Sequence, residues 1–296
     1  MDSSVVAAPG AFNALVARAV ARAGFDACYV SGGATSVAAG VPDVGLLSLD
    51  HFASVIREVA QFSGLPVIAD ADTGFGEEEM VRRTVFEYNH AGAAGLHLED
   101  QVFPKRCGHL DGKALVSAEH MCEKIRWAAK ASADCAEGSF IICARTDARS
   151  VEGIDAAIAR ARAYVAAGAT MIFPEGLNTE DEFGQFARAI HTQATPKPDE
   201  KKTAYLLANM TEFGKTPMLT LSQFGKLGYD IVIYPVSMLR TAMGAIDRAL
   251  AVLKEQGTLE SVLDEMQTRQ TLYDLTGYTP GTPWEFPNSV SNTGTH

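Results

Sequence analysis

The chain has 296 residues, 47% of them hydrophobic, enough for one substantial core. Its 36 acidic against 25 basic side chains give a formal charge of −11, which excludes a typical nucleic-acid partner, because phosphate binding needs clustered Lys and Arg. No uncharged apolar run reaches the roughly 18 residues of a membrane span, and no secretory signal is visible.

Short β-branched apolar runs recur along the chain with helical patterns between them. The strand candidates are "SVVAAPG" (4–10), "ACYVSGG" (27–33), "PVIADADTG" (66–74), "GLHLEDQ" (95–101), "FIICARTDA" (140–148), "MIFPEG" (171–176), "YLLANMTEFG" (205–214) and "DIVIYPVS" (230–237). Amphipathic segments such as "NALVARAVARAG", "EEMVRRTVFEYNHAGA" and "GIDAAIARARAYVAAGA" intervene, each closing on an Ala-Gly step that suits a helix stop. Apolar strands alternating with helices imply a parallel sheet. Eight repeats in one α/β domain predict a (β/α)8 TIM-type barrel over 1–257, and no GxGxxG or P-loop follows the first strand to favour a nucleotide-binding sheet. Residues 193–204, polar and proline-bearing, read as a surface loop. Two helical patterns, 239–257 and 259–277, follow the last strand. The second exceeds what a barrel needs and is expected to pack on the barrel or on a neighbouring subunit. Residues 278–296 read as an irregular tail.

Cysteines 28, 107, 122, 135 and 143 form an odd set without a CxxC, which suits a reducing compartment. That places the chain in the cytoplasm, or in the mitochondrial matrix if a presequence has been removed. Most of these thiols sit in apolar runs and read as small core residues. Cys107, in "KRCGH", does not. A lone CxH is a poor zinc site, and a disulfide would need an oxidising compartment and a partner.

Polar residues cluster where each apolar run ends: Ser31, Asp70, Asp72, Glu99, Asp100, Arg145, Asp147, Glu175, Asn209, Thr211 and Glu212. One such residue is commonly a loop cap. Their succession on strand after strand predicts a single bowl at the C-terminal face of a barrel. In "ADADTG", strand alternation turns both Asp70 and Asp72 inward, and two carboxylates that close call for a cation. With Glu99 they make an oxygen-only set suited to Mg²⁺ or Mn²⁺, whose shell a chelating oxyacid would complete.

The stretches "YVSGG", "PD" (42–43), "ADADTGFG", "GLHLEDQ", "KRCGH", "ARTDA", "FPEG", "NMTEFGKTP", "YPVS" and "MQTRQTLYD" resemble the isocitrate lyase/phosphoenolpyruvate mutase superfamily, over nearly the whole chain. "KRCGH" with "ADADTGFG" resembles its carbon–carbon lyase branch, and "NMTEFGKTP" the methylisocitrate lyases within it. The resemblance implies a retro-aldol cleavage of a 2-hydroxy tricarboxylate into pyruvate and succinate, in a homotetramer. Related chemistry on the same barrel (dimethylmalate lyase, isocitrate lyase, oxaloacetate hydrolase, phosphonomutase) is the alternative. It implies Mg²⁺ at Asp72, with Asp70, Glu99 and Asp43 behind it, activating a small di- or tricarboxylate. Cys107 becomes the proton donor, kept acidic by Lys105, Arg106 and His109, against the alternative of a structural loop cysteine. Tyr29 is the candidate to take the hydroxyl proton, against that of a packed strand aromatic. Arg145, Arg106, His109 and Asn209 are candidates to hold the carbanion-like charge. Ser31, Gly32, Gly33, Lys105, Gly108, Glu175 and Thr211 complete the expected substrate contacts. His97, His51 and His90 are read as ordinary barrel or surface residues.

Overall fold

The computed structural model describes residues 5–106, 112–191, 204–214 and 216–287. Eight strands alternate with helices in chain order. They are β1 (Val6–Pro9), β2 (Cys28–Val30), β3 (Val67–Asp70), β4 (Gly95–Glu99), β5 (Ile141–Thr146), β6 (Met171–Pro174), β7 (Tyr205–Asn209) and β8 (Ile231–Tyr234). All pairings are parallel, in the order β1-β8-β7-β6-β5-β4-β3-β2. The ends of that order meet. Gly10 bridges to Tyr29, and the Ala11 amide donates to the Tyr29 carbonyl at 2.9 Å, so the sheet closes into the expected (β/α)8 barrel.

The helices are α1 (Ala14–Arg22), α2 (Gly32–Ala38), α3 (Leu49–Ser63), α4 (Glu78–His90), α5 (Ala118–Ala136), α6 (Ala148–Val151), α7 (Ile154–Ala166), α8 (Glu180–His191), α9 (Leu221–Leu227), α10 (Ser237–Gln256) and α11 (Arg269–Thr276). Local chemistry fixes their starts. Asn13, Ser48, Ser117 and Thr268 each accept a backbone amide as N-cap, and Thr220 with Gln223 forms a full capping box.

Strand alternation divides the core in two. On β5, Ile142 and Ala144 face the helices, while Cys143 points into the barrel. The same rule sends Tyr29, Ile68, Phe173, Leu207 and Ile233 inward, and Val30, Ala69, Leu96, Ile172 and Val232 outward. Each inward row carries on past its apolar residues to the mouth, so whatever polar residue follows by two arrives at one place.

After the barrel, α10 runs for 20 residues with only Leu239 buried. The helical pattern over 259–277 is interrupted: a 3-10 turn (Glu260–Glu265) ends at extended Met266, and α11 begins afresh at the Thr268 cap. Arg18 of α1 donates to the Leu275 carbonyl at 3.2 Å, and Leu275 is buried, so α11 returns to the barrel wall. The polar stretch 193–204 lies, but for Ala204, outside the described residues. Among the described residues no helix is long and apolar enough to cross a membrane.

The seam tolerates no side chain at Gly10, where a Cβ would fall 2.2 Å from the Pro235 carbonyl oxygen. Gly10→Ala is therefore expected to cost about 1–3 kcal/mol of stability in urea unfolding, the scale of an overpacked core. Gly244→Ala, on α10 with nothing within 4 Å of the new methyl, is the matched control and is expected to leave stability level or slightly raised.

Candidate active site

The mouth of the barrel opens into a cavity of about 270 Å³. Tyr29, Ser31, Gly33, Asp43, Asp70, Arg145, Glu175, Asn209 and Thr211 line it, with an apolar wall of Phe173, Ile233, Pro235 and Val236. The strand-end residues thus converge from β2, β3, β5, β6 and β7, each delivered by the inward row of its strand.

The acids of β3 are placed by their own turn. Asp70 accepts the amides of Gly32 at 3.1 Å and of Asp72 at 2.9 Å. Gly32 has to be glycine, since a Cβ there would lie 2.6 Å from Asp70 Oδ2. Asp72 takes a left-handed backbone, φ 46°, which turns its carboxylate to the ammonium of Lys105 at 2.7 Å. That ammonium also pairs with Asp43. Burial opposes ionisation of Asp70, but the charge His97 takes up in acid, then Lys105 and Arg145, and the Asp72 amide outweigh burial and hold its carboxyl at about 2. Burial and then the Asp70 charge push Asp72 the other way, up to about 6. Lys105 would lose its proton on burial alone, but Glu99, Asp70, Asp72 and Asp43 hold it firmly charged.

Arg145 is the second hub. Its Nε and Nη2 donate to the two Asp147 oxygens at 2.9 and 3.2 Å, Nη1 lies 3.2 Å from Glu99, and Nη2 lies 3.7 Å from Glu175. Lys113 reaches Asp147 from the other side at 2.7 Å. Asp147 is in turn held by its amide, which donates to Asp100 at 2.9 Å, and Asp100 also accepts Thr146 and Tyr164 hydroxyls. Burial raises Glu99 well above the usual carboxylate range despite Arg145. Beyond Arg145, Asn209 donates to Glu175 at 3.2 Å and accepts the Thr211 hydroxyl at 2.6 Å.

One contact changes the reading of a residue. His97, expected to be ordinary, is fully buried at the barrel axis, with Nε2 2.7 Å from the Tyr29 hydroxyl and Nδ1 3.6 Å from Asp70. Burial, helped by Arg145 and Lys105 and opposed by Asp70, lowers its pKa to about 4, so the ring is neutral at pH 7. Nδ1 faces the Asp70 carboxylate beyond hydrogen-bond reach, and that charge favours the tautomer with its hydrogen on Nδ1 and Nε2 free to accept from Tyr29.

Six acids (Asp43, Asp70, Asp72, Glu99, Asp147, Glu175) meet three cations (Lys105, Lys113, Arg145) in this network. Neither Glu99 oxygen accepts a well-aligned hydrogen bond among the described residues, although Arg145 Nη1 lies 3.2 Å from one of them. Surplus buried oxygens of this kind fit a hard divalent cation. Among the described residues, however, no three His, Cys, Asp or Glu groups converge tightly enough to grip an ion by themselves. Mg²⁺ needs no such cluster, since it commonly takes one or two carboxylates and keeps its waters.

Other expected residues fall differently. Lys105 is engaged with the acids, and exposed Arg106 lies off the cavity lining, its amide donating to Gln101 Oε1 at 2.9 Å. Cys107, Gly108 and His109 lie outside the described residues. Asp147 was visible in sequence only as one more strand-end acid. Glu212 carried the same signal, whereas Lys113, Phe173 and Arg240 gave none. Glu212 pairs with Ser237 and Arg240 at the rim, and Arg240 stacks on the exposed ring of Phe213 at 5.4 Å.

With this geometry in place, comparison with known proteins gives the class. The sequence model of the phosphoenolpyruvate phosphomutase family matches residues 2–254. The probable 2-methylisocitrate lyase 1 of Corynebacterium glutamicum is 52% identical over 270 residues, 91% of this chain and 84% of that one. A crystal structure of 2,3-dimethylmalate lyase superposes with a TM-score of 0.84 at 34% identity, covering 93% of this chain and 88% of that one. Phosphonopyruvate hydrolase, solved with oxalate and Mg²⁺, superposes at 0.79 with 30% identity, covering 92% and 90%. The chain belongs to the phosphoenolpyruvate phosphomutase family, within the PEP mutase/isocitrate lyase superfamily.

The buried imidazole predicts an acid-labile core. Its pKa is 6.5 ordinarily and about 4 here, so between those values the unfolded chain binds the extra proton. Stability is then lost as pH falls through that window, by on the order of 3 kcal/mol. In urea unfolding from pH 7 to 4 without metal, His97→Gln is expected to flatten the acid slope by that amount.

Proposed function

We propose that the chain is a carbon–carbon lyase that cleaves 2-methylisocitrate to pyruvate and succinate with the help of Mg²⁺. Relatives that carry the name 2-methylisocitrate lyase, at 41–52% identity over more than 90% of the chain, support this substrate. The acid-rich bowl around Arg145 supports the chemistry. Asp72, backed by Asp70, Glu99 and Asp43, would hold the ion, which supplies Lewis-acid polarisation of the substrate hydroxyl and its neighbouring carboxylate.

The protein's own groups do the rest. Tyr29 faces the bowl and keeps its proton at pH 7, burial being the first cause. It is our candidate to take the substrate hydroxyl proton, its own hydroxyl held 2.7 Å from Nε2 of His97. The hydroxyl oxygen becomes the pyruvate carbonyl as the C–C bond breaks, and that bond's electron pair moves onto the succinate-side carbon and its carboxylate. Arg145 and Asn209 are the groups we assign to hold that charge. Cys107, set in sequence between Arg106 and His109, donates the proton that completes succinate. Ser31, Gly33 and Thr211 bind substrate carboxylates, and Phe173, Ile233 and Pro235 exclude water.

The second reading is 2,3-dimethylmalate cleavage, favoured by the superposition at TM-score 0.84. Purified protein with Mg²⁺ is offered 2-methylisocitrate, isocitrate, 2,3-dimethylmalate and oxaloacetate. The highest kcat/KM is expected with 2-methylisocitrate, and pyruvate from dimethylmalate alone would transfer the assignment. Cys107→Ala is expected to lower kcat by about 10²–10⁴-fold with the fold intact, the usual weight of a general acid.

We further propose a homotetramer. Met243, Ile246, Leu250 and Leu253 form an exposed apolar stripe along α10, each at least 44% exposed. Light scattering is expected to give the mass of four chains, and Ile246→Glu with Leu250→Glu a smaller one.

A further inference from the structure

Helix α5 buries Met121, Cys122, Ile125, Ala128 and Ala131 against the barrel, and on that same stripe it carries a lysine. Lys124 is 5% exposed. Burying an ammonium is costly unless it is met by acceptors. Its acceptors are two backbone carbonyls, Thr73 O at 2.9 Å and Gly76 O at 3.3 Å, while its nearest carboxylate, Glu77, lies 3.8 Å away and is largely exposed.

Those carbonyls belong to the turn that follows Asp72. Four residues there have positive φ: Asp72 at 46°, Gly74 at 93°, Phe75 at 58° and Gly76 at 152°. Two of the four carry side chains that such a backbone disfavours, so the conformation persists only if its surroundings enforce it. Following the carbonyls shows what enforces it. Tyr88 donates to Asp70 O at 2.8 Å, and the Glu99 amide to Asp72 O at 3.0 Å. Thr84 has one proton, and Met80 O at 2.7 Å claims it ahead of Gly74 O at 3.3 Å. Among the described residues, Lys124 alone reaches the far half of the turn with charge-assisted bonds. Packing supports only one side of the turn: Phe75 lies on the core and against the Phe52 ring at 5.6 Å, while a cavity of about 500 Å³ lined by Thr73, Phe75, Gly76 and Lys124 lies on the other.

We propose that Lys124 is a positioning residue for the reaction: by clamping the Thr73 and Gly76 carbonyls it fixes the turn that holds Asp72 against Lys105 beside the bowl. The inference rests on the reading of Asp72 as the carboxylate that holds the ion, and it adds a distant helix to that site's machinery.

Two measurements on the full-length protein separate the claims. Binding of Mn²⁺ alone is followed by the electron paramagnetic resonance of the free ion, in wild type, Lys124→Met, Lys124→Gln and Asp72→Asn. Hydrogen exchange is followed over residues 71–77, with β4 and β5 as internal reference. Lys124→Met is expected to speed exchange in 71–77 at least tenfold, to leave the reference strands unchanged and to weaken Mn²⁺ binding about 10–100-fold, the usual cost of losing a ligand's support. Lys124→Gln, which keeps an N–H donor, falls between and carries both readouts should the Met variant not fold. Unchanged exchange in 71–77 overturns the clamp. Faster exchange with wild-type Mn²⁺ affinity overturns its link to the site. Undiminished Mn²⁺ binding by Asp72→Asn overturns instead the assignment of the ion to Asp72, and the exchange data still decide the clamp.

Discussion

Everything at the mouth of this barrel answers to one electrostatic constraint: more buried carboxylates than buried cations. Lys105 bridges Asp43 and Asp72, and Arg145 spans Asp147, Glu99 and Glu175. The two hubs hold the acid ring together without neutralising it, and burial sharpens the imbalance. Asp70 is held at about 2 while Asp72, two residues on, is pushed to about 6. A site in that state holds an unbalanced negative charge that its own cations leave in place.

The fold meets this constraint by distributing it. No single strand carries more than a few of the charges, and each is tied to an outer layer. Tyr88 on α4 holds the Asp70 carbonyl, Tyr164 on α7 holds Asp100 under Asp147, and Lys124 on α5 holds the turn after Asp72. The helices therefore cover the sheet and also hold the polar rim against its own repulsion. His97 at the axis joins the two worlds: an apolar-core position whose ring links Tyr29 to Asp70.

Much of this was legible beforehand, for a simple reason. Parallel strands with a period of two send alternate residues inward, so Asp70, Arg145, Glu175 and Asn209 are marked by following apolar inward residues on their own strands. The eight strands were legible because their apolar runs are short and separated by amphipathic helices ending in Ala-Gly. His97 was missed because a histidine inside an apolar strand looks like a packing residue until its partners are known. Lys124 and Lys113 were missed because a lysine on a helix or in a loop says nothing of where its long side chain ends. The pattern over 259–277 misled as well: apolar spacing suited one helix, while the Thr268 cap and extended Met266 made two elements of it.

By itself the sequence determined the strand count, the inward register and hence which polar residues share the bowl, because these depend only on local periodicity. The tertiary structure alone decided the pairings among them: which acid Lys105 neutralises, which way Arg145 turns, that Tyr29 meets His97, and that a helix lysine reaches the Asp72 turn. Those are contacts between residues as far as 68 positions apart, fixed by closure of the sheet at Gly10 and Tyr29 and by helix packing. No local pattern encodes them.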